Sequence, residues 1–543
     1  MPTQSAIHTH DRSDLRMIRT LEAYIPKLMR VYDVPGLNIA LALHGHLVWE
    51  GAYGFSDAGS GRPTTSETVF HSGSIAKAYV AISVLQLAEK GLLQLDAPIN
   101  RYLPFQVVNP LGGPPITIRH LLTHTSGLGG DIATSYLCDE AVGVRSLADV
   151  VAAAYRFQVH QAPIGLKYLH PMWTYPAGQK MQYSNLGVAT LGVIVEQINP
   201  EHLSYSDYVQ RHIMDPLGMR YAQIPPAEIR AMVRPEIWDR MSTGYQTMGG
   251  AWIPTAQVCF GEFPCGGSLG TPTDYLHLLL ALLGDGTYDG SRILSKESVE
   301  AMLSPAHGLG AEASAGGLLA LGSRDQQGLI WRLRDWPSDD RAFWHLGGHM
   351  FGWETLAVAY PKSGAAFVVA VNHWSAVSRL PGVELDELDT QIRRWVSGSM
   401  PEAPPPPANP TPTPARIVWP PIDHLDWKSS YLRGLLFSES YRFAIATPQS
   451  ITEAQARQIA QRTAFRFGGK SSAHWDGEGF VAGVMDLSRV APTVEGIRSF
   501  VSSSQMRISL EEARAIYPCL GADPDSWATL AGLLSMPPTS TPH

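Results

Sequence analysis

A chain of 543 residues is longer than one ordinary hydrophobic core serves, so a large domain with a smaller companion is expected. Hydrophobic residues at 45% and charged residues at 17% exclude a disordered or fibrous class. A net charge of -8 with no dense basic cluster excludes nucleic acid as a partner.

Residues 1–19 mix His, Asp, Arg and Ser with no apolar core, and no apolar run is long enough to span a bilayer. The expectation is a soluble cytoplasmic protein with no membrane partner. The four cysteines (Cys138, Cys259, Cys265, Cys519) are too few for a disulfide framework and match no zinc spacing, so buried free thiols are expected and no metal or cofactor.

In chain order, Leu37 to Trp49 reads as two short strands around a turn at His44-Gly45-His46. A long, almost wholly apolar helix follows from Ser74 to Lys90, with Gly91 just past its end. Thr271-Pro272-Thr273-Asp274 is a helix start, in which Thr caps, Pro occupies the first turn and Asp faces the positive end of the dipole. Two strand-like runs, Trp353 to Tyr360 and Ala365 to Val371, flank a turn at Pro361-Lys362-Ser363-Gly364. Strands at both ends of this body with helices between them predict an α+β domain, with the terminal strands sharing one antiparallel sheet.

The run Pro401 to Pro414 can form neither a helix nor a central strand and is expected to act as a stiff spacer. The resulting division is a main body over 1–398, a linker over 399–416, an accessory module over 417–536 and a tail over 537–543. Within the module, Tyr441 to Ala446 reads as a strand, and capping boxes at Ser450 and Ser509 start helices. No catalytic constellation occurs there; scaffold, lid or oligomer contact is the expectation.

Three motifs bear on chemistry. In Ser74-Ile75-Ala76-Lys77 the three-residue spacing places a hydroxyl and an amine one turn apart on one helix face. The apolar run behind them predicts burial of Lys77, which disfavours its charged form and suits it to passing protons. A helix start also offers free N–H groups to a developing oxyanion. A capping Ser beside a solvated Lys is the structural alternative. Tyr183-Ser184-Asn185 places a phenol beside an amide that can both donate and accept, or else simply supplies turn and packing residues. His345-Leu346-Gly347-Gly348 precedes a strand and is narrow enough for a substrate to lie along the edge. Lys362-Ser363-Gly364 is a rival for that role, but Pro361 and Gly364 make it a hairpin turn.

The order Ser-x-x-Lys, Tyr-x-Asn, His-x-Gly resembles the serine β-lactamase-like superfamily: class C β-lactamases, D,D-peptidases and family VIII esterases. Flanking runs extend the resemblance over roughly 31–395, including Val34-Pro35-Gly36-Leu37, the segment from Ile116 to Leu128 that contains Thr123-His124-Thr125-Ser126-Gly127, and Gly266-Gly267. It implies that helices and a helical subdomain flank the antiparallel sheet. It also implies Ser74 as the nucleophile, Lys77 as its proton partner and Tyr183 as general base. Asn185 would contact Lys77 and the substrate amide, and the N–H groups of Ser74 and Gly348 would form an oxyanion hole. His345 and Gly347 would line the substrate edge, with His345 where β-lactamases of this superfamily usually keep a lysine.

The activity implied is hydrolysis of an amide bond in a small or unusual peptide through an acyl-Ser74 intermediate. A superfamily peptidase of comparable size acts on linearised microcystin, which makes that a candidate substrate. Carboxylesterase and acyltransferase are alternatives with the same machinery, and a silent scaffold is the reading from a different class. The partner is a small peptide or ester, with homo-oligomer formation as a further expectation. The loop from Gly129 to Tyr175, with Tyr168, Trp173 and Tyr175, is expected to shape the pocket or pack the core.

Overall fold

The computed structural model describes residues 4–128, 135–136, 146–156, 173–226, 231–248, 251–254, 259–260, 262–306, 325–334, 341–349, 352–374, 392, 440–446, 474–475 and 480–486. The Pro-rich run, both capping boxes of the second module, the tail and Tyr168 lie outside them.

One antiparallel sheet organises the body. Its strands are β1 (Gln4–Ile7), β2 (Gly36–Leu43), β3 (His46–Asp57), β4 (Asp325–Gln327), β5 (Arg332–Arg334), β6 (Ala342–His349), β7 (Trp353–Tyr360) and β8 (Ala365–Val371), in the order β1-β3-β2-β8-β7-β6-β5-β4. A short ribbon at Arg62–Pro63 adds to β3. The two ends of the body meet as expected: β8 pairs β2 from Ala366↔Ala42 to Val371↔Leu37. The turn between β2 and β3 has His44 at φ 55 and Gly45 at φ 79, the left-handed pair of a tight hairpin whose twist matches its strands. The 361–364 turn joins β7 to β8 with Gly364 at φ 64, so Lys362 sits at a hairpin tip at the Phe343 end of β6 and not beside 347–349.

Side chains alternate across the sheet with period two, and the two faces differ in size. Leu37, Ile39, Leu41, Leu356, Val358, Phe367 and Val369 face one layer. Helix α1 (Arg12–Val31) covers that layer with Ile18, Leu21, Ile25 and Leu28, a stripe at helical spacing. Asp11 caps α1 by accepting from the N–H groups of Ser13 and Asp14. Ala40, Ala42, Ala357, Ala359 and Ala366 face the other layer, where their small side chains let large helical ones approach closely. That layer contains α2 (Lys77–Glu89), α3 (Asn185–Ile198) and α4 (Pro272–Leu283). The Thr271/Asp274 capping box with Pro272 in the first turn starts α4 as predicted.

Of the expected second module, three strands are described: Ser440–Ala446 pairs with Phe480–Asp486, which pairs with His474–Trp475, all antiparallel. The first of these contains the run predicted from Tyr441 to Ala446.

Candidate active site

The site forms where the start of α2 meets β6. The predicted helix from Ser74 begins instead as a 3-10 turn, Gly73–Ala76, and becomes α-helical at Lys77. The cause lies in the packing beneath it. Gly73 has φ +52, and a Cβ there would sit 2.8 Å from the Gly348 carbonyl oxygen; a Cβ on Gly347 would sit 1.7 Å from the Ser72 carbonyl oxygen. The turn is therefore pressed onto β6 by two glycines facing each other's backbone. A 3-10 turn has three residues per revolution, so it eclipses positions three apart and sets Lys77 directly over Ser74. Behind them, every residue of α2 from Lys77 to Leu87 is buried, and Gly91 has the left-handed φ of 71 that ends the helix.

Three polar groups converge there. The Lys77 ammonium donates to Ser74 Oγ at 2.9 Å and to the Cys265 carbonyl oxygen at 2.6 Å. The Tyr183 phenol donates to Ser74 Oγ at 2.6 Å, across 109 residues of chain. Lys77 Nζ also stands 4.9 Å from the centre of the Tyr183 ring. Lys77 is fully buried and Ser74 is 9% exposed, so these bonds form with little competition from water. Tyr183 ends the segment leading into α3: Ser184 caps that helix through the Gly187 N–H, and Asn185 is its first residue.

On β6, pairing with β7 runs from Phe343 to His349, whereas pairing with β5 stops at Trp344. Among the described residues, no strand pairs with the outer edge of 345–349, the stretch beside Ser74. Gly347 and Gly348 lie on that edge. The alternation of β6 turns His345 to the same side as Gly347, but the imidazole is 2% exposed, with its Nδ1 2.9 Å from the Leu346 carbonyl oxygen and its ring edge-on to Trp331. Burial first, then the charges of Arg332 and Lys77, hold it well below the usual histidine range. In this state His345 is a neutral ring with two cations nearby and not a cation itself.

Three participants were not singled out from the sequence. The Cys265 carbonyl is a backbone group whose residue type carries no signal; Cys265 itself is a buried free thiol, as expected. His124 packs against Tyr183 with ring centres 4.6 Å apart. Arg332, 3% exposed, stacks its guanidinium over Trp344 at 5.0 Å. Of the loop aromatics, Trp173 packs against the core beside Tyr155, with ring centres 6.2 Å apart.

A sequence model of the family described as Beta-lactamase matches residues 21–388, which include every residue of this site. The chain belongs to the β-lactamase family. It is 30% identical over 387 residues to penicillin-binding protein 4 of Amycolatopsis lactamdurans, covering 70% of this chain and 91% of that protein. It is 32% identical over 217 residues to esterase EstB of Burkholderia gladioli, covering 38% of this chain and 52% of the esterase, so that match spans about half of the relative. The octameric penicillin-binding protein homologue of Pyrococcus abyssi superposes with a TM-score of 0.54 at 19% identity, covering 86% of this chain and 87% of that one, a likeness of fold. The family comprises serine hydrolases on a β-lactamase fold. Among the described residues, no helix is long and apolar enough to cross a membrane.

Proposed function

We propose that this family member cleaves an amide bond of a small peptide through an acyl-Ser74 intermediate. The observation that carries the reading is the convergence of Lys77 Nζ and Tyr183 OH on the single oxygen of Ser74. In the resting arrangement both donate to it. When either partner is in its basic form, its bond to Ser74 reverses and it accepts the hydroxyl proton. Ser74 Oγ then adds to the substrate carbonyl carbon, and the N–H groups of Ser74 and Gly348 receive the oxyanion. The C–N bond breaks as the proton held by the dyad passes to the leaving amine. Water, deprotonated by the same groups, attacks the acyl carbon and returns Ser74 to its hydroxyl form. Asn185, at the head of α3 beside Tyr183, is assigned to the substrate amide, and the open edge of 345–349 to its backbone.

A second reading is a carboxylesterase, favoured by the EstB match; the same dyad would release an alcohol in place of an amine. The octameric Pyrococcus homologue supports self-association, which light scattering would measure.

The test is a panel of aryl esters, L- and D-peptides including linearised microcystin, and a chromogenic cephalosporin, run on wild type and Ser74→Ala. Peptide cleavage by wild type, lost in Ser74→Ala, is the expected result. Ester turnover alone would establish the second reading. Activity that survives in Ser74→Ala would remove Ser74 from the chemistry, and a wild type inert to the whole panel would favour a silent scaffold.

A further inference from the structure

We infer that His124 is a positioning residue that sets the Tyr183 phenol on Ser74 Oγ. The inference rests on the acyl-Ser74 reading and adds to it a residue that touches neither the substrate nor Ser74.

His124 grips the chain on both sides of Tyr183. Its carbonyl oxygen accepts from the Gln182 N–H at 2.6 Å, and its Nδ1 accepts from the Ser184 N–H at 3.3 Å. The residue between those two amides is Tyr183, whose ring lies against the imidazole. One residue thus fixes the backbone before and after the phenol and also one face of its ring. The grip requires an unusual backbone: His124 has φ 56, a left-handed conformation uncommon for a residue other than glycine and held here within a buried turn. Its Nε2 has no hydrogen-bond partner among the described residues, so the polar work of the ring is done by Nδ1 alone. That work needs a neutral imidazole with its proton on Nε2. Burial first, then the charges of Lys77 and Arg332, press His124 towards that state.

If the clamp loosens, Tyr183 moves relative to Ser74, and a displacement of about 1 Å in such a constellation costs about 10²-fold in rate. Glycine and asparagine both tolerate a left-handed φ, which separates the acceptor from the backbone strain. His124→Asn keeps an acceptor oxygen close to the position of Nδ1, whereas His124→Gly removes it.

The experiment follows Ser74 acylation as the burst of p-nitrophenol from p-nitrophenyl acetate, in full-length wild type, H124G and H124N, each also in a Tyr183→Phe background. Thermal unfolding monitors the fold. The expected result is a burst slowed about 10²-fold in H124G with KM little changed, and restored to within about tenfold of wild type in H124N. In the Tyr183→Phe background H124G should cost little more, because the group it positions has gone. A folded H124G that acylates at the wild-type rate overturns the inference. So does one that slows Tyr183→Phe by the same factor as wild type. Should H124G fail to fold, a folded H124N as slow as Tyr183→Phe overturns it, and one near wild type supports it. Release of p-nitrophenol that persists at the wild-type rate in Ser74→Ala overturns the acyl-Ser74 reading itself and the inference with it.

Discussion

A side chain on Gly347 would collide with the carbonyl oxygen of Ser72, its Cβ only 1.7 Å away. This contact joins β6, which holds the open edge, to the turn that holds Ser74. Gly347→Ala must therefore push the strand and the turn apart. Overpacking of this kind costs about 1–3 kcal/mol, and a shift near 1 Å at the site costs about 10²-fold in kcat/KM. Gly266→Ala is the contrast: among the described residues its Cβ would meet only Gly73, at 4.0 Å, and it should unfold near the wild-type temperature. Thermal melts and ester kinetics on both variants check the pair; a Gly347→Ala enzyme of normal rate would show that this contact does not set the site.

Lys77→Ala and Tyr183→Phe should each slow acylation by about 10²–10⁴-fold, the range for a lost general base, with smaller changes in binding. On the acyl-Ser74 reading both side chains, bonded to the same oxygen, handle the one proton that leaves it. The double variant should then lose far less than the product of the two single losses. Stopped-flow burst rates on the three variants decide this, and losses that multiply would show two independent roles.

Much of this was readable beforehand, for reasons that lie in particular residues. The alternation of Leu with Ala in β2 and β7 and the Thr271 cap are local patterns, and each appears where period and cap chemistry place it. Ser74 and Lys77 are three apart, so any helical turn brings them together. Tyr183 lies 109 residues from Ser74, and only resemblance, not local physics, could bring it to the same oxygen. The 3-10 form of the first turn was not readable, because it follows from Gly73 and Gly347 meeting across the fold. Helix α1 is legible in Ile18, Leu21, Ile25 and Leu28 at helical spacing, although Pro26 inside it interrupts the pattern. The residue type of His345 was visible but its burial was not, since that depends on Trp331 and Arg332 across the sheet.

That burial bears on pH. His345 stands where β-lactamases of the superfamily usually keep a lysine, and a protonated imidazole there would pair with a substrate carboxylate. Burial and two neighbouring cations instead hold it well below the usual histidine range, and His124 likewise. A histidine in the unfolded chain takes up its proton near pH 6.5, whereas these two folded ones do not. Below about pH 6.5 the unfolded state therefore binds more protons than the folded state, and stability falls as pH falls. The unfolding temperature should drop steadily from pH 7 to pH 5, and His345→Gln, which has no proton to gain, should flatten part of that slope. For activity, a peptide with a free carboxylate and its amidated analogue should show the same dependence of kcat/KM on pH between 8 and 6, because no imidazolium forms to tell them apart. Measuring both substrates on wild type and His345→Gln settles the matter. A free acid that gains on its amide as pH falls, with the gain lost in His345→Gln, would mean that His345 takes up a proton when the substrate's charge is beside it.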